Sequence, residues 1–168
     1  QAGDVAAAER PAAEGPGDRI CLRPDRAQSL IVAFDSSALV KMLVPEVGSD
    51  IAENLWLSAS QRAASALAFP ETMAALAAAR RAGRLTPKRL QQARDLFVVR
   101  WEEVDALAVT DPIVQLAGEL VLADVPLSGA DAVHLATAID ICEDDSVFAT
   151  WDKRLSKAAR VAGLAVAP

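Results

Sequence analysis

Leu30-Ile31-Val32-Ala33-Phe34-Asp35-Ser36-Ser37-Ala38-Leu39-Val40 decides how the chain is to be read. Five consecutive apolar residues ending in an acid suit a buried parallel strand, because a strand covered on both faces need not alternate polar and apolar side chains. Ser36 and Ser37 offer N-cap oxygens to a helix carrying Ala38, Leu39, Val40, Met42 and Leu43, and Pro45 stops it. A strand that feeds directly into a helix is the unit from which α/β proteins are assembled.

The same alternation continues downstream. Ser49-Asp50 opens a second helix with Ile51, Leu55 and Ala59 on one face. Ala63 to Leu67 is expected as a second strand. Pro70 is expected at the first position of a helix bearing Met73, Leu76 and Ala77 and ending at Gly83. Thr86-Pro87 caps and starts another helix, through Leu90, Ala93, Leu96 and Phe97 to about Val99. A short strand is expected within Glu103 to Val109, and Asp111-Pro112 caps a helix with Ile113, Leu116, Ala117 and Leu120. Ser128 to Cys142 is apolar almost all round, which predicts a buried helix. Val147 to Ala149 is a strand, Lys153 to Ala162 a helix stopped by Gly163, and Leu164 to Val166 a last strand.

Strands separated by one or two helices predict a three-layer α/β/α domain with a central parallel sheet and right-handed crossovers. That domain is expected to span residues 30–168. Residues 1–29, rich in Ala, Gly, Pro and charge without apolar periodicity, are expected to form a disordered arm or linker.

Composition narrows the classes. With 168 residues, 52% of them apolar, the chain can bury one full core, and 4% aromatics leave Ala, Leu and Val to build closely packed helices. No apolar run reaches the roughly 20 residues of a membrane span. The opening QAGDVAAAERPAAEGPGDR has no basic flank ahead of an apolar stretch, so it does not read as a secretory signal. Its first residue is Gln rather than Met, which reads as a processed or engineered end. Cys21 and Cys142 read as free thiols in a reducing cytoplasm. A net charge of −6 argues against a broad basic surface for nucleic acid. Any nucleic-acid enzyme of this kind must bind locally or through metal.

In open parallel sheets ligands bind beyond the carboxyl ends of the strands. Four acids are expected on that rim. Asp35 follows the first strand, Glu71 sits in the first turn of the helix after the second, and Asp152 lies just past the strand ending at Ala149. Asp131 occupies the first turn of the Ser128–Cys142 helix and is expected to be buried. Asp144 and Asp145 precede a strand and belong to the opposite rim, while Asp50, Glu53, Glu102 and Asp140 read as solvated charges.

Carboxylates about 4 Å apart repel by about 4 kcal/mol per pair at an effective dielectric near 20, so such a cluster protonates or holds a cation. All-oxygen ligation selects Mg2+ or Mn2+, and the lack of a second histidine or a cysteine pair at ligand spacing argues against zinc. The chemistry expected of such a centre is metal-assisted phosphodiester hydrolysis by activated water, leaving a 5′-phosphate and a 3′-hydroxyl. Each acid also has a plain structural reading: Asp35 and Asp152 as helix caps, Glu71 and Asp131 as first-turn helix acids. Ser36, Ser37 and Thr150 read first as caps, with Thr150 and Ser36 as candidate auxiliaries. His134 reads as a core imidazole rather than a base. The cluster Arg80, Arg81, Arg84, Lys88 and Arg89 reads either as a solvated helix end or as a phosphate-steering patch.

Four stretches carry a resemblance: FDSSALVKMLVPE (residues 34–46), SALAFPETMAALAAARRAGRLT (65–86), LSGADAVHLATAI (127–139) and FATWDKRLSKAARVAGL (148–164). In this order and spacing the chain resembles the PIN-domain family, in its VapC-type toxin ribonucleases of bacterial toxin–antitoxin pairs. The resemblance covers about Ile31 to Val166. It implies a PIN-like fold and a Mg2+- or Mn2+-dependent endoribonuclease with Asp35, Glu71, Asp131 and Asp152 at the acidic positions. Thr150 falls at the hydroxyl position before the last acid. It further implies transfer or ribosomal RNA as substrate, a cognate antitoxin and a homodimer. The long N-terminal arm departs from the family pattern.

Two other classes stay open. A catalytically silent interaction module, or a housekeeping RNA-processing nuclease, would share the fold. A phosphoryl-transfer enzyme using Asp35 as nucleophile usually has a second Asp two residues on, where this chain has Ser37. An antitoxin is expected to dock near helices from Val40 to Leu57.

Overall fold

The computed structural model describes residues 30–142 and 145–168. The expected arm, with Cys21, and the expected opposite-rim acid Asp144 lie outside the described residues. In chain order the elements are β1 (Ile31–Phe34), α1 (Ser36–Leu43), α2 (Ser49–Ser58), β2 (Gln61–Ser65), α3 (Ala68–Arg81), α4 (Pro87–Trp101), β3 (Asp105–Leu107), α5 (Asp111–Val121), α6 (Gly129–Ile141), β4 (Ser146–Ala149), α7 (Lys153–Val161) and β5 (Val166–Ala167).

Among the described residues the five strands form one sheet in the order β3-β2-β1-β4-β5, every pairing parallel. Ile31 pairs with Gln61 on one side and Ser146 on the other, so β1 is central. Successive side chains of β1 point to opposite faces. Val32 and Phe34 pack under α1 to α4 with Leu39, Trp56, Leu76 and Phe97. Ala33, with Phe148 of β4, packs against Leu135 of α6 and Leu155 of α7. Helices therefore cover both faces, and the predicted three-layer α/β/α arrangement is present. Each large side chain buried this way contributes about 1.5–3 kcal/mol. α5 adds an outer layer on α6, where Ile113 and Ala117 meet Ala132 and Ala136. The chain leaves edge strand β3, crosses through α5 and α6, and re-enters beside β1 as β4. That reversal places a crevice at the carboxyl ends of β1 and β4.

Several local expectations are corrected. The N-cap of α1 is Asp35, whose side chain accepts from Ala38 N, and Ser36 and Ser37 are its first two helical residues. The strand expected at Ala63–Leu67 lies two residues earlier; α3 begins at Ala68, so Pro70 is third in the helix, where a missing N–H is still harmless. Thr110, not Asp111, is the N-cap of α5. The last strand is Val166–Ala167 rather than Leu164–Val166. α2 buries Ala52 and Trp56, leaving Ile51 exposed. Glu53 is no solvated charge: Arg100 grips both its oxygens at 2.7 and 2.8 Å over the Trp56 ring.

α3 and α4 form a hairpin. At its base Phe69 meets Phe97 and Trp101, with ring centroids 5.2 and 5.4 Å apart. At its tip buried Leu85 packs with Leu43 at the far end of α1.

Candidate active site

Asp35 is the buried charge of the crevice, only 3% exposed. It extends β1 by donating its own N–H to Ala149 O at 3.1 Å, and its carboxylate then turns back to cap α1. Oδ1 accepts from Ala38 N and from Ser37 Oγ, both at 2.8 Å. Oδ2 accepts from Thr150 Oγ1 at 2.8 Å and Ser37 Oγ at 3.0 Å. Burial pushes the carboxyl above its ordinary range, and the bonds from Ala38, Ser37 and Thr150, with the field of His134, only partly offset this.

Thr150, at the end of β4, ties the next acid in. Its hydroxyl donates to Asp35 and accepts from Asp152 N at 3.1 Å. Ser37 Oγ likewise accepts from Trp151 N at 2.8 Å, locking the β4–α7 turn onto α1. Asp152 is the N-cap of α7, with Oδ1 accepting from Arg154 N and Leu155 N at 2.8 and 2.9 Å. Among the described residues its Oδ2 accepts no hydrogen bond.

Glu71, in the first turn of α3, faces His134 of α6 through Oε2 and Nε2. The His134 hydrogen bond, the His134 field and the nearby Ser36 hydroxyl together hold its carboxyl below the ordinary range, against the opposing effect of burial. An ionised carboxylate there requires the proton on Nε2. His134 is buried, and among the described residues its Nδ1 has no partner.

Asp131 corrects the sequence reading. It is half-exposed, not buried, and closes a capping box: Ser128 Oγ accepts from Asp131 N, and Asp131 Oδ2 accepts from Ser128 N and Oγ. The motif S-x-x-D at 128–131 could have announced this. The buried acid is Asp35 instead. One helical turn separates Asp131 from His134, which puts both on one face of α6.

Thr150 joins Asp35 to the backbone of Asp152, and Glu71 is tied to Ser36 and His134, whereas the side-chain hydrogen bonds of Asp131 among the described residues run to Ser128. The four acids do not form a closed ligand cluster: among the described residues no three acidic, cysteine or histidine side chains are grouped to hold a metal ion. The reading of His134 as a core imidazole holds, since it is buried against Glu71; sequence reasoning did not foresee that partner, nor that Ser37 would donate to the Asp35 carboxylate.

A family model, the PIN domain, matches residues 32–161. The chain belongs to the PIN-domain family, among the VapC-type toxin ribonucleases. Ribonuclease VapC45 of Mycobacterium tuberculosis (strain CDC 1551 / Oshkosh) is 43% identical over 138 residues, covering 82% of this chain and 95% of that protein. Ribonuclease VapC46 of Mycobacterium tuberculosis (strain ATCC 25618 / H37Rv) is 35% identical over 139 residues, covering 80% and 95%. The crystal structure of Mycobacterium tuberculosis VapC20, a toxin that cleaves the sarcin–ricin loop, has the same fold, with a TM-score of 0.58 at 20% identity over 76% of this chain and 94% of that one. PIN-domain ribonucleases are in general metal-dependent.

The donor chemistry suits a hard divalent cation. Every acid supplies oxygen, Asp152 Oδ2 is unengaged among the described residues, and the desolvated Asp35 carboxylate would be relieved by a neighbouring positive charge. No helix among the described residues is long and apolar enough to cross a membrane.

Proposed function

We propose that this chain hydrolyses RNA phosphodiester bonds at the edge formed by Asp35, Glu71, Asp131 and Asp152, using Mg2+ or Mn2+. The observation that carries the reading is Asp35. A carboxylate buried to this degree costs stability, and the protein surrounds it with three donors rather than replacing it. Asp131 does not supply that argument, since its capping box accounts for it.

When bound, a divalent cation polarises water and steadies charge on a phosphoryl oxygen. Asp35, Asp152, Asp131 and Glu71 would hold it. Thr150 and Ser37 orient Asp35, and Thr150 also fixes the backbone of Asp152. His134 positions Glu71. Asp35 is ill suited as a phosphoryl acceptor, because Ser37 stands where such enzymes usually carry a second Asp two residues on. Action on cellular transfer or ribosomal RNA assigns the protein to the cytoplasm.

A cognate antitoxin would dock in the groove of about 440 Å³ between α1, α2 and α4, floored by Met42, Leu43, Leu85 and Leu96 and rimmed by Lys41, Asp50 and Arg89. A second copy of the chain would complete a homodimer. The test is induction of wild type and Asp35→Asn, with cleavage ends mapped in total RNA. Discrete new 5′-phosphate ends with wild type alone support the reading; no metal-dependent ends from wild type would overturn it.

A further inference from the structure

The tip of the α3–α4 hairpin concentrates positive charge on an acidic protein. Arg80, Arg81, Arg84, Lys88 and Arg89 fall within ten residues, all exposed, while the whole chain carries 17 basic residues and a net charge of −6. No Asp or Glu occurs between Glu71 and Asp95. None of the five side chains makes an ion pair among the described residues. The neighbouring cations that do pair lie outside the patch: Lys41 with Glu46, Arg94 with Asp95 and Arg100 with Glu53. The amino terminus of the 15-residue α4, capped by Thr86, adds its positive pole at the same tip. Nearby acids are few: Asp50 and Glu53 line the groove that Arg89 borders, and Glu53 is held by Arg100.

α1 and α3 pack together and both start at the acid edge, α1 at Ser36 and α3 with Glu71 in its first turn. The basic tip lies at their far ends. From Glu71 to Arg81 the helix rises about 15 Å at about 1.5 Å per residue. A stacked strand, with a phosphate about every 3.4 Å, covers that distance in about four or five nucleotides.

We infer that the hairpin tip is a phosphate-binding exosite for the flank of an RNA whose scissile bond lies at the acid edge. Substrates must then extend several nucleotides past the cut to be bound well. The inference rests on the RNA reading above, and it adds a second contact to it. The exosite reads charge rather than sequence, since exposed arginines and lysines meeting phosphates carry no base information.

The probes are mixed-sequence single-stranded RNAs of about three nucleotides, too short to span the path from the acid edge to the tip, and of about 24. Binding is followed by fluorescence anisotropy across a NaCl titration, comparing wild type with Arg80→Gln/Arg81→Gln/Arg84→Gln/Lys88→Gln. Four lost phosphate contacts should make the log–log salt slope shallower by about 2 to 3 and weaken the long RNA about tenfold or more at low salt. The short RNA should be unaffected, and the melting temperature unchanged because all four side chains are exposed. A version with Arg80, Arg81 and Arg84 changed to Lys should keep most of the affinity. Equal weakening of both RNAs, or of neither, overturns the inference, as does preference of the wild-type patch for poly-glutamate over the long RNA, which would assign the tip to an acidic protein. The two readings separate cleanly. Patch-dependent binding without metal-dependent cleavage retains the exosite and removes the nuclease, and cleavage indifferent to the patch does the reverse.

Discussion

Replacing Thr150 by Val keeps the side chain's shape and removes one hydroxyl that does two jobs. That hydroxyl donates to Asp35 Oδ2 at 2.8 Å and accepts from Asp152 N at 3.1 Å, at a position 1% exposed. A hydrogen bond to a charged group is worth about 1.5–3 kcal/mol, and an N–H left without a partner adds about 1 kcal/mol. The loss should therefore total about 3 kcal/mol, or roughly 10 °C in melting temperature for a domain of this size. The penalty should depend on pH. The Thr150 bond favours ionised Asp35, so without it the carboxyl rises further. The cost is then greatest at neutral pH and falls as Asp35 protonates and the bond loses its charge assistance, by about half. Thermal melts in EDTA across pH 4 to 8 for wild type, Thr150→Val and Thr150→Ser read this directly. A loss below about 2 °C, or one that does not change with pH, would refute the reasoning.

Asp35→Asn should be more stable than wild type relative to its own acid value as pH rises. Because burial raises the folded carboxyl, Asp35 contributes stability below its unfolded range and loses it as pH climbs through the folded one, and Asn has no such loss; paired melts in EDTA at acid and neutral pH check it. Glu71 runs the other way: its lowered carboxyl stabilises above the unfolded range and the benefit disappears in acid, so Glu71→Gln should cost most near neutrality and converge with wild type at low pH. Gly48→Ala should destabilise by about 1–3 kcal/mol, because Gly48 has φ +90° and an added Cβ would lie 2.6 Å from Trp151 Nε1; urea titration measures it. Ser128→Ala should cost about 1 kcal/mol through the lost cap of α6 and should lower RNA cleavage more than stability, since it frees Asp131.

The fold was legible because its signals are local and mutually consistent. Leu30 to Phe34 is a short apolar run closed by an acid and a helix start, which suits a buried strand, and Thr86-Pro87 marks a helix start without tertiary help. β2 was harder: Gln61-Arg62-Ala63-Ala64-Ser65 becomes a strand through its pairing with β1, and its composition scarcely favours one. Asp35 and Asp152 could be placed on one rim from topology alone, because each follows a parallel strand and parallel strands send their carboxyl ends the same way. The environments of the acids could not be read this way. An apolar run around Asp131 suggested burial, yet position in the first turn exposes the side chain to Ser128, while the apolar strand before Asp35 and the helix after it enclose that carboxylate. The Glu71–His134 contact joins residues 63 apart in sequence, and no local pattern encodes it.

The central claim is that these acids hold a divalent cation, although no closed cluster stands ready among the described residues. Titration of Mn2+ followed by the loss of its free electron-paramagnetic-resonance signal tests this without RNA. Saturable binding by wild type, abolished in Asp35→Asn and weakened in Asp152→Asn with both variants folded, is the expected result. Mn2+ uptake that is absent in wild type, or identical in all three proteins, would contradict the account.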